Sequence, residues 1–405
     1  MDKPNNTGPL KGIRVIDLSS VLLGPFATQT LGDWGADVIK VESLEGDVMR
    51  FNGVSRNRGM GSIFLATNRN KKSIALNLKS PEGLALLNRM LQDADIFVSN
   101  MRVEALERLG IGYEAASRLN PRLVYCVATG FDQDGPCRNK PAFDDTIQAE
   151  CGLLGLGLRP GSQPVFPPSL IADKTAGLAL INALLAALLH RERAGAGQYV
   201  EVPMFETMVA FTLTEHLGGL SFEPAAGAAG YTRLLEGRRP IPTADGFVTM
   251  LPYSVLDWAE LYRAAGRDDL AGQTEGMDRK AMNDNYASLY ENLAAVTHGK
   301  TSRQWLDICA ALDISAAPIY RVEELPRHPQ LEAVKLFTEA SHPSEGAIRY
   351  VRPTTKFSAS PASVRSHAPL LGQHTQEILE GLGCSPEDIE ALEQRGVVKR
   401  GGPTP

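Results

Sequence analysis

The feature that most restricts the fold is a regular alternation of short apolar runs with longer mixed segments over the first 200 residues. Gly12–Ser19, Asp37–Glu42, Ser73–Leu78, Asp95–Asn100, Arg122–Thr129 and Gln198–Pro203 are rich in branched side chains and read as strands. Helix signals fall between them. Pro25 suits the first turn of a helix over 25–34, and Ser80-Pro81-Glu82 supplies a cap, a first-turn proline and an early acid for a helix reaching about Gln92. Strands that are apolar nearly throughout belong to a parallel sheet covered on both faces. The expectation is an α/β fold whose large domain is a doubly wound, mostly parallel, Rossmann-like sheet. Ligands of such sheets bind outside the carboxyl ends of the strands. The loops after Ser19, Glu42, Leu78, Asn100 and Thr129 are therefore the places where a site is expected.

Beyond that region the character changes. The uncharged run Thr175–Leu189 is shorter than the ~20 residues a membrane span needs. It is apolar on every side and reads as a helix buried all round. Residues 218–230 are small and glycine-rich, as in a loop or linker. The expected organisation is a large domain over 1–215, a linker over 216–230 and a smaller α+β domain over 231–325. A proline-punctuated connecting segment over 326–370 and a helical part over 371–405, returning to the large domain, complete it. The tail GGPTP reads as disordered. Net charge is −6 without a basic stripe, which disfavours nucleic acid but not a small anion bound by a few local cations. Five scattered cysteines form no CxxC pair, and the first twenty residues carry no secretory pattern. Reduced thiols in a cytoplasmic protein are expected, with no membrane partner.

Several chemistries lose their sequence support. The turn SSVLLGPFATQTLG lacks the glycines a dinucleotide fingerprint needs, and Gly152–Gly157 follows no strand. The seven histidines show no zinc spacing, and neither a GxSxG elbow nor a phosphate-binding GxxxxGK[ST] loop occurs. Cations do gather near the strand ends: Arg69, Lys71, Lys72 and Lys79 around the third strand, Arg102 and Arg108 after the fourth, and Lys140 after the fifth. Singly each reads as solvated surface, but jointly they suit a phosphate-bearing ligand. Asp173 (SLIADKTAG) stands directly before the apolar helix. An N-cap is the ordinary role for such a residue. A carboxylate of ordinary pKa, ionised at neutral pH, can also attack a thioester without a general base.

At this point the residues carry a resemblance. GPLKGIRVIDLSSVLLGPFATQTLGDWGADVIKVE, NRNKKSIALNLKSPEG, LNPRLVYCVATGF and IADKTAGLALINALLAALLHRERAGAGQYVEV are similar to segments of class III CoA-transferases of the formyl-CoA and L-carnitine type. SAAPIYRVEELPRHPQL and APLLGQHTQEIL resemble that family's C-terminal signatures, so the likeness runs from about residue 9 to 393. The resemblance implies an interlocked homodimer, coenzyme A as substrate and product with no tightly bound cofactor, and Asp173 as nucleophile. It implies a mixed anhydride on Asp173, then an aspartyl-CoA thioester, then a second anhydride that returns a new acyl group to CoA. It also implies CoA contacts at Val21 and Leu22, at Leu76, Asn77 and Lys79, at Asn100 and Met101, and at Arg108 and Lys140. Ser43 departs from the family pattern, which has an arginine there, and leaves Arg69 or Lys71 as replacements for one phosphate contact.

The superfamily also holds α-methylacyl-CoA racemases, which use a histidine just before an aspartate in the loop after strand five. Here that histidine's place is taken by Phe143, before Asp144, which ranks an epimerase below a transferase. A CoA-binding protein without turnover is a further alternative. Arg233, Arg238 and Arg239 open the smaller domain and read either as surface arginines in a turn or as partners for a substrate's second anionic group. Succinyl-CoA as donor and a dicarboxylate or sulfinate-bearing acid as acceptor follow from the second reading. The 218–230 segment is a candidate gate over the intermediates, or a plain linker.

Overall fold

The computed structural model describes residues 6–158, 161–231 and 233–401. The tail after Gly401 lies outside the described residues. The chain divides into two compact units. One takes the chain up to Gly155, Pro164–Thr212 and everything from Val334; the other takes Leu156–Gln163 and Leu213–Ala333.

The first unit is built on six parallel strands: β1 (Arg14–Leu18), β2 (Asp37–Glu42), β3 (Lys71–Leu76), β4 (Ile96–Ser99), β5 (Val124–Thr129) and β6 (Gln198–Pro203). They lie in the order β3-β2-β1-β4-β5-β6. Alternate side chains serve opposite faces. Val15, Val38, Val98 and Val124 pack with Leu31 of the helix Leu23–Asp33 and Leu180 of the helix Ile171–Ala194. Ile16, Ile39, Ile74, Phe97 and Tyr125 pack on the other side with Leu87 and Met90 of the helix Pro81–Gln92. Both faces are thus covered, which is why apolar residues on these strands are not confined to one face. The helix Ile171–Ala194 is not buried all round: Leu178 and Leu189 remain about half exposed along one stripe.

The second unit holds an antiparallel sheet of β7 (Ile241–Pro242), β8 (Phe247–Leu251) and β9 (Ser315–Pro318). Its core is aromatic. Trp258, Tyr262, Tyr290 and Trp305 are buried, and three of them bond backbone carbonyls with their polar tips: Trp305 Nε1 donates to Thr297 O, Tyr290 to Met250 O and Tyr262 to Leu289 O. Residues 218–230 form a loop closed on itself, with Gly219 N–H donating to Ala228 O at 2.9 Å and Gly230 N–H to His216 O at 2.8 Å.

The chain then returns to the first unit. The stretch expected only to connect holds an antiparallel hairpin, β10 (Phe337–His342) and β11 (Gly346–Val351). Its turn is held by buried Glu345, whose carboxylate accepts the Asn57 N–H at 3.1 Å. After the helices Thr375–Gly381 and Pro386–Gln394, the short β12 (Val398–Lys399) pairs antiparallel with β3 and covers the edge of the large sheet.

Candidate active site

Asp173 is the third residue of the helix Ile171–Ala194, not its cap; Leu170 holds the cap position and no side chain caps there. The difference arises because the helix begins one turn earlier, packed close to another helix. One turn on, Gly177 lies against Leu23 and Phe26; a Cβ there would meet Phe26 Cδ1 at 2.9 Å and Leu23 O at 3.0 Å. Only glycine allows that approach, and it sets the start of the helix beside the first loop, Ser19–Leu22.

The carboxyl of Asp173 is nearly withdrawn from water, with 9% of the residue exposed. Its own N–H donates to Asp144 Oδ1 at 2.9 Å. Asp144, likewise buried, begins the helix Asp144–Glu150, and its second oxygen accepts from Gln148 Nε2. Gln148 also donates to Ser169 O at 3.0 Å, while its Oε1 is buried with no hydrogen-bond partner. Burial, then the charges of Asp144 and Asp145, push Asp173 up to about 6. The group is therefore not the ordinary carboxylate the sequence suggested. At pH 7 it is still about ten-to-one ionised, and it is more basic, hence a better nucleophile, than a solvated aspartate. Phe143, where racemases carry their histidine, is 69% exposed and offers no base.

Two cavities open at the carboxyl ends of the strands. One of about 640 Å³ is lined by Ser19, Ser43, Asp47, Leu76, Asn77 and Lys79, among others, and by Met101. A second, of about 230 Å³, is lined by Asn100, Met101, Arg102, Arg138, Lys140 and Phe143. They share Met101, and the smaller reaches Phe143, next to Asp144. Asn100 ties the first loop in place: Ser20 N–H donates to its Oδ1 at 3.0 Å, and its Nδ2 donates back to Ser20 O at 2.9 Å. Val21 holds a left-handed φ of 71°, costly for a branched residue, with its N–H on Asp47 Oδ1 at 3.3 Å. Leu22 precedes the helix Leu23–Asp33. Arg108 is exposed at the end of its short helix, next to Leu109 on the rim of the larger cavity.

Three of the sequence-selected cations are held elsewhere. Lys71 is the first residue of β3, fully buried, and its three donors go to Asp17 Oδ2, Pro25 O and Asn68 Oδ1 at 2.9–3.0 Å. Burial alone would raise Asp17, but Lys71 and Lys40 hold it down to about 2. Arg69 closes its fork on Asp33 at 2.9 and 2.6 Å, and Lys72 pairs with Asp37 and Glu377. Neither Arg69 nor Lys71 is free to replace the arginine missing at Ser43. Lys140 lines the smaller cavity with its charge already met by Glu150 at 2.7 Å. Sequence reasoning passed over Arg138 in that cavity and the roles of Asp144 and Gln148; nothing in their spacing marks them. In the second unit, Arg233, Arg238 and Arg239 flank Gly237.

A profile of CoA-transferase family III matches residues 10–375. The succinate–glutarate CoA-transferase of Agrobacterium fabrum is 32% identical over 94% of this chain and 97% of its own. The succinyl-CoA–L-malate CoA-transferase beta subunit of Chloroflexus aurantiacus is 33% identical over 98% of this chain and all of its own. A CAIB/BAIF family protein from Brucella suis superposes with a TM-score of 0.80 at 29% identity, over 93% of this chain and 100% of that one. The chain belongs to CoA-transferase family III. It is an enzyme that transfers CoA, and acyl-CoA is its substrate.

Proposed function

We propose that the enzyme moves CoA from succinyl-CoA to a second dicarboxylic acid, with Asp173 as the covalent carrier. The observation that carries the reading is the buried, proton-affine Asp173 carboxylate beside Asp144, whose chain neighbour Phe143 lines the smaller of two cavities that share Met101. The names of the Agrobacterium and Chloroflexus relatives, CoA-transferases that pair succinate with glutarate and succinyl-CoA with L-malate, support the substrate class. The nucleotide of CoA lies in the larger cavity against Leu76, Asn77 and Lys79, and the pantetheine arm crosses Met101. An Asp173 oxygen adds to the thioester carbonyl, and the C–S bond breaks to give the mixed anhydride and CoA thiolate. The thiolate attacks the Asp173 carbonyl, releasing succinate and leaving an aspartyl-CoA thioester. The acceptor carboxylate displaces the thiolate from that thioester, and the thiolate then takes the acyl group from the new anhydride. No net redox change or external proton is needed, so positioning and exclusion of water are what the protein contributes. The enzyme acts as an interlocked homodimer, supported by the family resemblance and by the uncovered leucines 178 and 189 of a single chain.

Incubation with succinyl-CoA, followed by hydroxylamine trapping and peptide mass analysis, tests the carrier. The expected product is a hydroxamate at position 173 in the wild type and none in Asp173→Ala. Retained CoA exchange in Asp173→Ala would overturn the reading.

A further inference from the structure

The first loop, Ser19–Leu22, is held by side chains. From the Ser19 N–H to the Val21 N–H, each backbone polar group meets one. Ser19 N–H donates to Asp17 Oδ1 at 3.0 Å, and Lys40 Nζ donates to Ser19 O at 2.8 Å. Both backbone groups of Ser20 go to Asn100, and the Val21 N–H goes to Asp47 Oδ1. Asp17 belongs to β1, Lys40 to β2, and Asp47 and Asn100 follow β2 and β4, the two strands that flank β1. The shape of the loop is therefore dictated from both sides, at the point where the strand order reverses. That shape is tight. The chain doubles back so closely that a Cβ at Gly24 would stand 2.3 Å from Ser19 Cβ. The turn includes Val21, whose φ of 71° a β-branched residue adopts only where its surroundings impose it.

Asp47 divides its two oxygens. Oδ1 accepts the N–H of Val21 at 3.3 Å and that of Met49 at 3.0 Å, while Oδ2 lies 2.9 Å from Lys40 Nζ. Burial would lower Lys40, but Asp17, Asp47 and Glu42 raise it above the ordinary lysine value, so the ammonium keeps its proton at neutral pH. Asp47 is fixed in turn. Its N–H donates to Glu42 Oε2 at 3.0 Å, and Glu42 closes on Arg50 at 2.7 Å and accepts the Ser73 hydroxyl at 2.6 Å. All of these side chains are buried, and burying charges in this way is a poor source of stability. What they secure is a geometry: Ser19, Ser20, Asp47 and Val48 form one wall of the larger cavity.

We infer that Asp47 is a positioning residue for the acyl-CoA substrate, acting through Val21: its Oδ1 keeps the first loop in the strained turn that shapes this wall. The role rests on the larger cavity taking the nucleotide of CoA, as proposed above. Without the bond Val21 relaxes to an ordinary φ, the competent loop becomes a minority, and affinity falls by that fraction.

Calorimetric binding of CoA to variants of the full chain, with urea unfolding alongside, tests the role. Asp47→Ala should raise the dissociation constant for CoA roughly 10-fold, through loss of a hydrogen bond to a charged acceptor. Asp47→Asn keeps an oxygen for Val21 and Met49 but gives up the charge that Lys40 pairs with. It should unfold at lower urea yet bind CoA within about threefold of wild type. An Asp47 that only stabilised the fold would lose affinity and stability together in both variants. In a Val21→Gly background, where the left-handed φ carries no strain, the effect of Asp47→Ala should shrink to about threefold or less. Asp47→Ser, whose shorter side chain can still cap Met49 but falls short of Val21, carries the comparison if the alanine variant does not fold. Wild-type affinity in folded Asp47→Ala, an equal loss in Asp47→Asn, or an undiminished effect in the glycine background overturns the role. Lys79→Ala separates it from the placement of CoA. Binding weakened by Lys79→Ala and not by Asp47→Ala overturns the positioning role alone, whereas binding indifferent to both overturns the placement of the nucleotide in this cavity.

Discussion

Replacing Asp173 by asparagine should make the protein more stable at neutral pH while removing its proposed chemistry. The carboxyl is raised from 3.8 to about 6, first by burial and then by Asp144 and Asp145. An acid whose folded pKa lies above its unfolded one binds more protons in the native state between those values, so its contribution to stability declines as pH rises from about 4 to 6 and is constant above. At 1.36 kcal/mol per pKa unit, the ionised carboxylate costs the fold about 3 kcal/mol at pH 8. Asparagine keeps the shape, keeps the backbone N–H that Asp144 accepts, and carries no charge to desolvate. Paired urea titrations of wild type and Asp173→Asn, followed by circular dichroism at pH 4, 6 and 8, read the difference. Because the chain has two units, amide exchange on the helix Ile171–Ala194 identifies which one has gained. The expected gain is about 3 kcal/mol at pH 8, shrinking to near zero by pH 4. No gain at pH 8, or one that persists undiminished at pH 4, refutes the claim that Asp173 is a strained, proton-affine group.

Further outcomes follow from the same geometry. Asp144→Asn retains an acceptor for the Asp173 N–H but removes the nearest negative charge, so the acid limb of the pH–rate profile, expected near 6, should move to lower pH; an unmoved limb would separate the two residues. Lys71→Met strands buried Asp17 and should cost about 3–5 kcal/mol in urea unfolding, with part regained in the double variant Asp17→Leu/Lys71→Met. Lys79→Ala should raise the KM for succinyl-CoA by about 3- to 10-fold through loss of one charged contact. Arg69→Ala should lower stability and leave that KM within about twofold, because its fork is closed on Asp33.

Much of the large sheet was legible because its strands are defined by local composition. Asp37–Glu42 and Gln198–Pro203 coincide with β2 and β6, and the other four parallel strands differ only at their ends. The order of the cavities along the strand ends also follows from parallel topology. What was hidden depends on neighbours distant in sequence. Lys71 looks like a loop cation until β3 is paired with β2 and set over Asp17 of β1. The elevated pKa of Asp173 comes first from burial and then from the charge of Asp144, twenty-nine residues earlier, neither of which a local pattern encodes. The hairpin at 337–351 was obscured by prolines on both sides, at 326, 329, 353, 361 and 369. The differing surroundings of Arg233, Arg238 and Arg239 depend on Tyr286 and Glu291, some fifty residues on.

The pairing of β12 with β3 has a consequence for how the protein is made. A ribosome delivers β3 long before Val398–Lys399. Until then the nascent chain presents an open edge at β3, the kind of surface that recruits stray strands from other molecules. Closure must wait until Val398–Lys399 has been made. A message truncated before position 398 would yield a polypeptide whose outermost ladder stays unsealed.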